Sequence, residues 1–188
     1  DIREDVDLKG MVCCLPEGVT LQFCGGVIKN GTLVGNGTKI ESTGACFDRA
    51  RILGTWDVPE ISTAMFRDLH YDNSLKDVVA LANPNVKNII VIAEGEYQVS
   101  ATKENRVCVP ICSNTDFVLD GIIRMLPNNL TSCDIIRAWG SHIAITGSGT
   151  IIGDKHTHTG NDGEWGMGIE FVHAHNVSVS NLNIKDYW

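Results

Sequence analysis

The feature that most constrains the fold of this 188-residue chain is a repeat of short alternating apolar segments in its C-terminal half. Phe117 and Leu119 in TDFVLDG, Ile143 and Ile145 in SHIAITG, and Val177 and Val179 in HNVSVSN hold matching places, 26 and then 34 residues apart. Residues two apart on a strand share a face, so each pair predicts one strand with two inward side chains. A flanking strand repeats in step, since Ile135 precedes Ile143 by eight residues and Ile169 precedes Val177 by eight. Recurrence of one small unit at this period predicts an all-β solenoid, a parallel β-helix in which those six side chains stack on one interior face.

The longer interval is explained by one insertion, GDKHTHTGNDGEWGMG, residues 153–168, whose polar and Gly-rich content marks a loop bulging from a regular coil. The N-terminal part has the same texture. In VTLQFCGGVIKNGTLVGNGTKIES, strands of three to five residues are expected to alternate with corners at Gly25-Gly26, Asn30-Gly31 and Asn36-Gly37. Between the halves, Leu75, Val78, Val79 and Ala82 fall at helical spacing and Pro84 is a stop, which predicts one short helix near residues 74–83. An apolar strand, VKNIIVIAEGEYQVS, follows it. Trp56 is expected to pack where the first coils meet this segment.

Length points to a single unit over residues 1–188, divided into first coils (1–56), a helix-bearing connection and strand (57–100), and regular coils with the inserted loop (101–188). Ile184 repeats the place of Ile151, so the strand pattern is still running where the chain stops. The expectation is the N-terminal part of a longer solenoid, with an open last coil prone to end-to-end self-association and part of the active site beyond residue 188.

Charge narrows the partners. A formal net charge of −8 argues against nucleic acid, which needs a concentrated Lys/Arg surface. No apolar run approaches the roughly 20 residues of a membrane span. The seven cysteines lack paired C-x-x-C spacing, so a zinc site has little support, and Cys24, Cys108, Cys112 and Cys133 read as small buried hydrophobes. The Asn-x-Ser/Thr sequons at Asn30, Asn36, Asn129 and Asn176 are what turn-rich sequence produces.

A helix leading into a strand that ends in a Gly-x-Tyr pattern, here EGEY, resembles the pectate-lyase-like superfamily and within it bacterial and phage-associated proteins. PEGVTLQFCGGVIKNGTLVGNGTKI is similar to their first coils, and GTIIGDKHTHTGNDGEWGMGIEF to their central polar loop. The resemblance implies a right-handed parallel β-helix with a polysaccharide-binding or polysaccharide-cleaving groove, in a secreted, periplasmic or cell-surface protein. SNTDF mimics the first catalytic motif of polygalacturonase-type members, but their other motifs are absent, and Asp116 is given no catalytic role.

Candidate chemistry gathers in the inserted loop. Glycoside hydrolysis usually uses two carboxyl groups, which Asp154, Asp162 and Glu164 could supply, with Asp186 as a further acid. A lyase needs a base beside a neutralised uronate, a role open to Lys155, His156 or His158; no cofactor is called for otherwise, and a calcium ion would serve only the lyase. Trp165 offers a flat face for a sugar ring, with Lys155 and His173 as further substrate contacts. His156-x-His158 could face one way in an extended segment, but two His without a third ligand do not make a metal site, and none is assigned. The two functions left open are a polysaccharide hydrolase or lyase, and a non-catalytic glycan-binding or attachment module resembling a tailspike.

Overall fold

The computed structural model describes residues 1–160 and 165–187, with Trp165 described by its backbone alone. Asp162, Glu164, the Trp165 side chain and Trp188 lie outside the described residues. Five strands, β1 (Val6–Asp7), β2 (Val12–Cys14), β3 (Thr20–Phe23), β4 (Ile28–Ser42) and β5 (Phe47–Asp57), form a first sheet. They are followed by β6 (Glu60–Ser62), helix α1 (Leu75–Val79), β7 (Asn88–Ile92), β8 (Glu96–Val99), β9 (Val107–Ile111), β10 (Thr115–Leu119), β11 (Ile122–Met125), β12 (Ser132–Thr146), β13 (Thr150–Ile152), β14 (Trp165–Val179) and β15 (Asn183–Lys185). A second sheet has the order β14-β12-β10-β7-β6, with β9 also on β12, and a third has the order β15-β13-β11-β8.

The pairings between these strands are parallel, and they stack apolar rows. Ile61, Ile90, Phe117, Ile145 and Val179 stand in register across the second sheet. Tyr97, Ile123, Ile151 and Ile184 do so across the third. Each fully buried member of such a row contributes roughly 1.5–3 kcal/mol. The left-handed residues Asn114, His142 and Asn176 precede Thr115, Ile143 and Val177, which pair in turn with one another, and mark where successive strands bend together.

The solenoid expectation is overturned. The strands form three separate parallel sheets with a half-barrel curl, and no right-handed β-helix is established. A solenoid stacks each coil on its neighbour at every face. Here β2 and β3 both lie along the single long strand β4, and among the described residues no strand ladder joins β5 to the second sheet, since the isolated bridge Phe47↔Phe66 ends at a residue outside the named strands. The repeat aligned β12 with β14 correctly, Ile143 with Val177 and Ile145 with Val179, but misplaced β10 by two residues, since Phe117 pairs with Ile145 and Ile143 with Thr115, and Ile169 pairs with Ile136 and not Ile135. At this offset Gly147 follows the last paired position and falls opposite Leu119, where a Cβ would come within 2.0 Å of the Leu119 carbonyl oxygen. Val177 and Val179 were expected inside, yet they are 38% and 42% exposed, because β14 is the last strand of its sheet.

Local expectations divide similarly. Asn30 and Gly37 do take positive φ, but they bend one 15-residue strand instead of separating short ones. The helix spans five residues because Leu81 and Ala82 donate to the carbonyls three residues back, tightening its end. Leu75, Val78 and Val79 are buried, and Asp77 ties the helix to β5 by accepting from the Ile52 amide (3.0 Å) and the Tyr71 hydroxyl (3.1 Å). The expected long strand after the helix is broken at Gly95 into β7 and β8, and Tyr97 donates back to the Ala93 carbonyl. Trp56 is buried against Phe47 and over Gly35, where a Cβ would meet its ring at 2.6 Å. Cys108 and Cys133 are buried as expected and Cys112 is half-buried, whereas Cys24 is exposed. Among the described residues no helix is long and apolar enough to cross a membrane.

Candidate functional site

The stem of the inserted loop is a hydrogen-bonded knot. Asp154 is buried, and its Oδ2 accepts from the Asn128 amide (3.2 Å), from Asn128 Nδ2 (2.9 Å) and faces His158 Nδ1 at 3.0 Å. Its carbonyl accepts from the amides of Thr157 and His158, and the Thr159 amide donates to the Asn128 carbonyl. The void beside Asp154 holds about 10 Å³, too small for a sugar and near the limit for one water. Among the described residues, Asp154 and His158 therefore hold the stem of the loop together.

The other predicted residues scatter. His156 Nε2 meets Asp186 Oδ1 at 3.2 Å in a separate exposed pair, and the Lys155 amide donates to the Asp186 carbonyl while its side chain points to solvent. His173 sits with positive φ where the pairing of β12 and β14 slips by one residue, and its exposed side chain joins neither pair. Asp116 is ion-paired with Lys87. No group of three His, Cys, Asp or Glu side chains poised to hold a metal occurs among the described residues.

A different constellation forms where β9, β12 and β14 run side by side. Asp134 pairs in register with Val107 and Met167, and Arg137 with Pro110 and Glu170. The Arg137 guanidinium spans two carboxylates, contacting Asp134 Oδ2 and donating from Nε to Glu170 Oε2 at 2.6 Å. Arg106 donates to the Ser132 hydroxyl at the rim. Together with Cys133 and Met167 these residues line an open cleft of about 230 Å³.

Asp134 is the unusual group. Its side chain is almost wholly buried, and its Oδ2 meets Arg137 without a well-aligned hydrogen bond. Burial, then the negative charge of Glu170, push its carboxyl up from 3.8 to about 6, while Arg137 pulls the other way. Its neighbour Cys133 is a thiol pushed up to about 11 by burial, so it is no nucleophile at neutral pH. Two residues beyond Arg137, and so on the same face of β12, Trp139 stands 43% exposed.

Sequence reasoning passed over this cluster, although one signal was available. In SCDIIRAW the acid Asp134 stands between Cys133 and Ile135-Ile136 in an otherwise apolar run, and in GIEFV the acid Glu170 interrupts another apolar segment. A larger cleft, about 540 Å³, lies between β4 and β6, but Glu60 is its one charged residue. Volume and chemistry point to different places, and reactivity follows the perturbed carboxyl group. Comparison with known proteins yields no matching family model, no matching curated protein and no matching solved structure.

Proposed function

We propose that the chain is a polysaccharide hydrolase whose reacting groups are Asp134 and Glu170. The observation that carries this reading is a buried carboxyl group that keeps its proton to about pH 6 beside a second carboxylate in an open cleft. A protonated Asp134 is suited to give its proton to a leaving glycosidic oxygen, and Glu170, ion-paired with Arg137, is suited to draw a proton from water. Trp139 supports the substrate class, because an exposed aromatic on the strand face that carries Arg137 offers a surface for the apolar side of a sugar ring. Arg106 and Ser132 supply hydrogen bonds to sugar hydroxyls at the rim.

The test is a screen of the purified protein against a polysaccharide panel, reading new reducing ends and ultraviolet-absorbing unsaturated products separately. Hydrolysis predicts reducing ends alone, a loss of about 10²-fold or more in Asp134→Asn, and activity that falls as pH rises through about 6. Unsaturated products would replace hydrolase by lyase. Glycan binding without either product would assign the cleft to a non-catalytic module, and neither binding nor cleavage would overturn the reading.

A further inference from the structure

Strand β14 ends the second sheet and β15 ends the third, and among the described residues each pairs on one side alone, with β12 and β13. The apolar rows of both sheets run out at this end. Ile61, Ile90, Phe117 and Ile145 are at most 1% exposed, yet Val179, the next member of their row, is 42% exposed. All seven residues from His175 to Asn181 are exposed, and so is Tyr187 after β15. Sheets normally guard such edges with short strands, charges or proline. The outer strands of the first sheet are guarded in this way: β1, β2 and β3 have two to four residues each, and Asp5, Asp7, Lys9, Pro16 and Glu17 lie in or between them. Strand β14 has 15 residues and contains neither lysine, arginine nor proline, and its acid, Glu170, is ion-paired with Arg137. The slip at His173 precedes the exposed run and does not interrupt it.

We infer that this end is a self-association surface, on which a second copy of the chain docks its own β14 and β15 across a two-fold axis. Charge selects the copy and the place where it docks. Glu170, Lys185 and Asp186 are the charged residues of 165–187, a net of −1, whereas the whole chain carries −8, so two copies repel least where these ends meet. The outer strands of the first sheet are the poorer mate, because Asp1, Glu4, Asp5, Asp7 and Glu17 outweigh Arg3 and Lys9 there. A face that meets its own kind covers Val177 and Val179 of both copies at once, and the contact closes at two. A 15-residue strand at about 3.3 Å per residue and a depth of about 10 Å give an end on the order of 500 Å² per copy, which falls in the weak, reversible class of interfaces. The pair therefore forms at high concentration and separates on dilution. The inference does not rest on glycan cleavage.

The experiment is sedimentation velocity on the intact chain from roughly 10 µM to roughly 1 mM, with the exposed Cys14 and Cys24 kept reduced so that no disulfide imitates the contact. Expected is a shift from 20.5 kDa toward twice that mass, with no further growth. Val177→Lys and Val179→Lys, tested singly, should each weaken association by about ten-fold or more, while Met11→Lys, at the exposed outer edge of the first sheet, should leave it unchanged. Each variant should keep the wild-type circular dichroism spectrum. A monomer at every concentration would overturn the inference, and so would a dimer indifferent to both valine variants. Growth beyond two copies that Met11→Lys blocks would also overturn it, because the copies would then stack head to tail.

Discussion

Replacing Asp134 by Asn removes one ionisable proton while keeping the shape of the side chain, and the consequence should be a change in how stability depends on pH. In the folded protein the Asp134 carboxyl is raised from 3.8 to about 6, burial being the main cause. A group whose folded-state pKa is raised stabilises the fold fully below its unfolded pKa, and that contribution is lost as pH rises through the folded value. The wild type should therefore lose up to about 3 kcal/mol between pH 4 and 6.5, at about 1.4 kcal/mol for each pKa unit. The carboxyl groups held low by ion pairs and amides, such as Asp5, Asp68 and Glu96, act in the opposite sense as pH falls through their unfolded values of 3.8 to 4.5, and they are common to wild type and variant, so they cancel in the difference. Urea unfolding at pH 4, 5, 6 and 7 reads the difference between wild type and Asp134→Asn. It should grow in favour of the variant by about 2–3 kcal/mol across this interval. Glu170→Gln should reduce the wild-type slope, because it removes the like charge that adds to burial. Parallel stability curves for wild type and Asp134→Asn would refute the assignment of a proton-retaining acid, and with it the catalytic role drawn from it.

Two further outcomes test the rest of the structure. Asp154→Ala deprives the Asn128 amide and side chain of their acceptor and should destabilise the protein by about 1–3 kcal/mol, seen as a lowered Tm, with glycan cleavage reduced far less than in Asp134→Asn. Ile145→Ala should cost about 2–5 kcal/mol in urea unfolding, whereas Val179→Ala, in the same row but 42% exposed, should cost under about 1 kcal/mol. Equal costs would show that the last strand is covered.

What the sequence disclosed of the fold was its alternation, and what it concealed was connection and register. The period of two at Phe117, Ile143, Ile145 and Ile151 reports a buried face, and those side chains are buried. Parallel pairing of strands 28 to 34 residues apart is likewise present. The step from these facts to a solenoid failed because apolar spacing does not encode how the ladders join. Nothing in the spelling of β4 says that a 15-residue strand will accept β1, β2, β3 and β5 along one length. A slip of two residues keeps every side chain on its face, so 26 and 28 were equally compatible with the pattern, and the pairing takes 28.

The site was hidden for a related reason. A polar loop attracts attention because its residues are rich in chemistry and adjacent in sequence, yet Asp154 and His158 turn that chemistry inward to hold the loop. Asp134 and Glu170 are 36 residues apart and each looks like an isolated acid in an apolar strand. Parallel register sets Glu170 opposite Arg137, and Arg137 lies three residues from Asp134, so the cluster arises only once β12 and β14 pair. The same pairing that buries Ile136 and Ala138 thus forces a carboxyl group to stay beside its like, and the burial that stabilises the sheet is the main cause that raises the Asp134 carboxyl to about 6. In a sheet of this kind, the acid set among buried apolar residues is a better guide to reactivity than the acid in the polar loop, because burial is what moves a carboxyl group toward the pH at which it can exchange its proton.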